Sequence, residues 1–166
     1  MSLETINSIA QIVAAIGVIA SLFYLGVQIR QNTRSQKSIV VDSLTRSLIA
    51  LLGPQAGDPD QLRAFAAAAE DWHGASEADR VRCVSIFFTT FKLFENAWFQ
   101  QRQGTLDREQ WESWDLHIRV YYHRPGIKTW WSGRRSLFSA GFGNYLEATK
   151  PIGGVESLSQ LIQGKS

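Results

Sequence analysis

Residues 9–29 form a nearly unbroken apolar run, IAQIVAAIGVIASLFYLGVQI, followed at once by the polar, basic stretch RQNTRSQK. A helix needs about 20 apolar residues to cross a hydrocarbon layer of roughly 30 Å at about 1.5 Å per residue. The run therefore predicts a transmembrane helix. A signal peptide would begin with a positive region and carry a shorter apolar core. Here the leader MSLETIN holds Glu4 and no Lys or Arg. A core helix of a soluble protein would show a polar face, whereas this run offers only Gln11, Ser21 and Gln28. About eleven Ile, Leu, Val and Phe side chains, each worth roughly 0.3–0.6 kcal/mol near the bilayer centre, favour insertion by a few kcal/mol.

Flanking charge predicts the orientation. Arg30, Arg34 and Lys37 follow the run, and the leader has only its α-amino group. The expectation is an N-terminus outside and the remaining chain in the cytoplasm of a bacterium, with the three basic residues at the membrane surface. The helix faces also differ. Ala10, Ala14, Gly17 and Ser21 recur at alternating spacings of four and three, and Tyr24, Gln28 and Gln31 continue the stripe. Small residues so placed let another helix approach closely, and Gln amides hydrogen-bond across the contact. The partner expected there is another membrane protein or a second copy.

The rest of the chain reads as helices, with no alternating strand pattern. The expected organisation is all-α: a transmembrane anchor over residues 1–30, a juxtamembrane helix over 31–53 continuing it, and a small helical bundle over 54–166. Val41, Leu44, Leu48 and Leu51 share a face, which GPQAGDPD then breaks. Asp60 is the expected cap of an Ala-rich helix. Ser76 with Asp79 resembles a capping box, and Gly104 ends the helix it opens. Asp107 with Gln110 opens another, with Trp111, Trp114, Ile118 and Tyr121 on one face, ending at Pro125 and Gly126. Shorter helices are expected over 127–131 and 136–148, and a last amphipathic turn over 155–162.

Charge and cysteine content narrow the function classes. A scattered net charge of +2 does not suggest nucleic acid, and the single Cys83 excludes an internal disulfide framework. Six Trp and nine Phe predict an aromatic core. Glu70 and His73 form one E-x-x-H with no second copy, so no metal and no cofactor are expected. His117 and His123 lack ligand spacing. Cys83 has no His placed to activate it and reads as a small buried side chain. No Ser sits in G-x-S-x-G, and the GFG at 141–143 is neither a dinucleotide fingerprint nor a phosphate loop.

Two features draw attention. In the helix after Ser76, the residues Val84, Phe87, Phe88, Phe91, Phe94 and Trp98 make an apolar arc, and Glu95 falls inside it. A carboxylate there must find donors or stay protonated with a raised pKa. The donors on offer are Arg119, Arg124, Arg134, Arg135, Tyr121 and the Trp indoles. Second, Arg124, Lys128, Arg134 and Arg135 gather near Trp130 and Trp131, a combination suited to lipid headgroups. The alternative is that the two Trp fill the core and the charges are solvated.

The segment SLFYLGVQIRQNTRS (21–35), followed in order by FENAWFQQRQGTLD (94–107), Trp111 and PGIKTWW (125–131), resembles a widespread group of small uncharacterised bacterial membrane proteins. The resemblance implies a single-pass inner-membrane protein and brings no chemistry to transfer. With no catalytic constellation in view, the expectation is a non-enzymatic role through protein contact, as an accessory, assembly or scaffolding subunit of a membrane complex. The competing expectation is a small-ligand or lipid-responsive module with Glu95 as its polar recognition group.

Overall fold

Helix starts and stops follow local chemistry closely. The computed structural model describes residues 3–153, except the side chains of residues 3–6, 8–10 and 13. Among the described residues, six α-helices run in chain order: α1 (Leu3–Ala56), α2 (Pro59–Glu70), α3 (Glu77–Arg102), α4 (Arg108–Tyr122), α5 (Pro125–Ser132) and α6 (Ala140–Ala148). A short 3₁₀ turn, Arg135–Leu137, precedes α6. The described residues contain no strand, and the chain is a long N-terminal helix followed by a helical bundle. The expected turn over 155–162 lies outside the described residues.

Asp58, not Asp60, caps α2. Its carboxylate accepts from the N–H groups of Asp60 and Gln61 at 2.9 and 3.1 Å. Pro59 explains the choice: at the first helical position its fixed φ is helical and its missing N–H costs nothing. Asp60 instead pairs with Arg63. Ser76 Oγ accepts the Asp79 N–H at 3.1 Å, the first half of a capping box, while the Asp79 carboxylate accepts from the Ser76 hydroxyl at 2.7 Å in place of the Ser76 backbone N–H. Gly104 follows α3 at φ 72°, the left-handed conformation that glycine takes without a Cβ penalty.

The chain divides into two compact units, residues 1–39 and 40–166. In the first, α1 exposes its apolar side chains: Ile19 is 66% and Phe23 76% exposed. This run therefore fills no described core, and it is the one described helix long and apolar enough to cross a membrane.

The second unit begins inside α1, ten residues beyond the expected end of the anchor, and α1 itself continues past the expected break to Ala56. Pro54 withdraws its own N–H and its ring crowds the carbonyl one turn back, and the helix ends two residues later at Ala56, before Gly57. The last part of α1 belongs to the bundle because its apolar face is used there. Leu44 is buried with Leu93 and Ala97 of α3 and with Leu106, and Val40, Val41, Leu48 and Leu51 pack alongside. The larger core is aromatic. Phe87, Phe91 and Phe94 of α3 meet Ile118 and Tyr122 of α4, Trp130 and Trp131 of α5, and Phe142 and Leu146 of α6. Four buried alanines let α2 lie close against α3 and α5.

Candidate functional site

Glu95 sits at the edge of this core, where α3 meets the chain leading into α6. Its side chain is 17% exposed. Lys92, one turn earlier, donates to Oε2 at 2.9 Å, and the backbone N–H of Ser139 donates to Oε1 at 2.7 Å. Lys92 also donates to the carbonyl of Leu137 at 3.0 Å and lies 4.6 Å from the centre of the Phe138 ring. Burial pushes the Glu95 pKa upward. The hydrogen bonds from Lys92 and Ser139 outweigh it and bring the carboxyl below its ordinary value.

None of the donors expected from sequence reaches Glu95. Arg119 donates to the carbonyl of Lys150 and to Asp115. Arg124 pairs with Glu70 at 3.0 Å, and Arg135 pairs with Glu147. Burial raises the Tyr121 hydroxyl, and its neighbour Thr90 falls short of hydrogen-bond geometry. The indole N–H groups of Trp130 and Trp131 meet no acceptor among the described residues. Lys92 was legible as an i,i+3 partner on the same helix. Ser139 was not, because it lies 44 residues away.

Together Lys92 and Glu95 clamp residues 137–139. The clamp explains why the helix expected over 136–148 is interrupted. Leu137 and Ser139 give their backbone groups to α3, and Ser139 Oγ then caps α6 by accepting the Phe142 N–H at 3.4 Å. With both carboxylate oxygens engaged by the fold, Glu95 is a latch between elements.

The latch yields a prediction. Glu95→Gln keeps an acceptor for Ser139 and should cost less than about 1 kcal/mol, whereas Glu95→Ala leaves two donors unmet and should cost about 1–3 kcal/mol. Because the folded carboxyl titrates below its ordinary value, its contribution is present at neutral pH and disappears as pH falls below the ordinary carboxylate range. Thermal unfolding of both variants between neutral pH and pH ~3 checks this. Equal loss in Gln and Ala at neutral pH contradicts the hydrogen-bonding role and shows that the charge itself is required.

The basic–aromatic cluster divides. Trp130 and Trp131 are fully or almost fully buried, so they fill the core and are not headgroup-facing; this corrects the surface reading. Trp131 lies 4.8 Å from Phe91 and 4.7 Å from Phe138, ring centre to ring centre. Arg124 is taken by Glu70, while Lys128 is exposed near the Tyr122 ring. The E-x-x-H pair also separates, with Glu70 on Arg124 and His73 exposed beyond α2. Cys83 is fully buried, and burial pushes its thiol up to about 11, so it is inert at neutral pH.

On α1 the stripe is open. Ala14, Gly17, Ser21, Tyr24 and Gln28 are exposed, and the side chain of Ala10 lies outside the described residues. A Cβ built on Gly17 meets nothing within 4 Å. The polar groups bond within the helix: Ser21 donates to the Gly17 carbonyl, and the Gln28 amide donates to the Tyr24 hydroxyl, both at 2.9 Å. Arg30 and Arg34 are exposed, and Lys37 is half-buried.

These elements define an all-α protein, a long apolar N-terminal helix joined to an aromatic-cored bundle. The chain matches no family model, curated protein or solved structure.

Proposed function

We propose that this is a single-pass bacterial inner-membrane protein, of the group its motifs resemble, that works by protein contact. Its N-terminus lies outside and its bundle in the cytoplasm. The observation that carries the reading is the exposed apolar run of α1 with a stripe of small and amide side chains on one side. The bulky side supports lipid contact, and the stripe supports close approach of a second helix from another membrane protein or a second copy. Arg30, Arg34 and Lys37 support attraction to anionic headgroups and the cytoplasmic placement of the bundle. The role is that of an accessory, assembly or scaffolding subunit.

Two tests follow. A C-terminal alkaline phosphatase fusion should be inactive in a bacterial host, because the enzyme matures only outside the cytoplasm; activity there reverses the orientation. Gly17→Ile places a bulky side chain where nothing in the chain stands in its way. It should lower recovery of the partner in mild detergent by about fivefold or more, the size of a ~1 kcal/mol contact. Unchanged recovery removes the stripe as the contact face.

A further inference from the structure

A groove of about 380 Å³ runs beside the exposed side of α3, in the size range of about 300–1,000 Å³ that small-ligand sites occupy. Val84, Phe88 and Leu137 are its apolar lining, and Arg134 and the buried Trp130 line it as well. Phe88 and Leu137 remain 37% and 55% exposed. The Arg134 guanidinium lies over two rings, 5.4 Å from Trp72 and 5.2 Å from Trp130. Among the described residues it makes no ion pair, and its one hydrogen bond, to the Trp130 carbonyl, is long at 3.4 Å. Most of its N–H donors thus have no acceptor among the described residues, although Arg124 and Arg135 nearby in sequence both hold carboxylates. The two indoles fix the planar fork, so an oxyanion arriving there meets a cation already oriented beside apolar walls.

The groove has a neighbour along α3. Ser85 and Thr89 also line a second depression of about 430 Å³ along α3, whose other walls include Ala50, Leu51, Pro54 and Ile86. A small anion would satisfy Arg134 and leave these walls wet. A neutral apolar molecule would cover the walls and leave the cation unmatched. We infer that the groove binds an anionic single-chain amphiphile, a long-chain carboxylate or alkyl phosphate, with its headgroup on Arg134 and its chain over Phe88 and along α3. This goes beyond the proposed contact function and stands on the groove alone.

The test uses the full chain in phosphatidylcholine nanodiscs with palmitate carrying a terminal diazirine, photolysed and mapped by peptide mass spectrometry. Label is expected in residues 84–89, 50–55 and at Leu137. The neutral methyl ester of the same probe should label these sites at least about fivefold less, as loss of a charge-assisted contact implies. Arg134→Gln should produce the same drop. If that variant unfolds, Leu137→Glu decides, since it sets a negative charge at an exposed rim and should also repel the probe. Equal labelling by acid and ester, labelling confined to residues 3–39, or unchanged labelling in the folded variants overturns the inference. Displacement of the label by excess inorganic phosphate also overturns it, by assigning Arg134 to a small free anion.

Discussion

Phe91→Ala lowers the stability of the helical unit by about 3–5 kcal/mol, enough to consume much of the ~5–15 kcal/mol that holds a domain of this size together. Phe91 is fully buried and stands at the centre of the aromatic core. Its ring lies 5.4 Å from Trp130, 4.8 Å from Trp131, 5.8 Å from Tyr121 and 6.0 Å from both Phe94 and Phe138. Truncation removes the ring's own burial and leaves a void that such stiff neighbours fill poorly, because planar rings have few alternative rotamers. Phe91→Leu keeps most of the volume and should cost about 1.5 kcal/mol. Phe99, on the same helix but 50% exposed, should cost less than about 1 kcal/mol when changed to Ala. Denaturant unfolding of the three variants checks the order. Equal effects at 91 and 99 would contradict the placement of the core.

Gly126→Ala is the second severe change, and a single methyl group causes it. Gly126 sits in the first turn of α5, against the end of α2. A Cβ there would lie 2.1 Å from the carbonyl oxygen of Ala68 and 2.8 Å from the carbonyl carbon and oxygen of Ala69. These are backbone atoms of a helix end, so no side chain can swing aside, and the two helices must separate. The expected loss is about 3 kcal/mol or more, the upper end for overpacking, with a fall in Tm of about 10 °C or more. Gly133→Ala is the control. Its nearest neighbour would be the Trp130 carbonyl at 3.9 Å and its φ is −81°, so the change should be neutral or slightly stabilising. Differential scanning calorimetry of the two variants decides; equal midpoints contradict the close approach of α5 to α2.

What could be read beforehand was local. Ser76 with Asp79 and Gly104 are caps and stops whose chemistry spans a few residues, and they stand where sequence puts them. The cap of α2 lies at Asp58, two residues before the expected Asp60, with Pro59 marking the helix start. The aromatic face of α3 was legible from spacing, and so was the anomaly of Glu95 within it. Its resolution was only half legible. Lys92 is one turn away, but the Ser139 N–H arrives by a chain reversal that no local pattern encodes. Trp130 and Trp131 were ambiguous for a different reason: indole suits both a core and a wet interface, and only the packing of Phe91 and Phe138 against them decides. Sequence does not distinguish Arg134 from Arg124 and Arg135, because which arginine holds a carboxylate depends on long-range pairing.

Attachment of the chain to the bilayer through α1 is tested most directly by alkaline carbonate extraction of native membranes. The full chain should remain in the membrane pellet. Changing Ile16 and Ile19 together to Lys should release it, at about 2.5–3.5 kcal/mol for each charge placed near the bilayer centre. Release of the unaltered chain into the supernatant would contradict anchoring by α1, and with it the contact function proposed for its small-residue face.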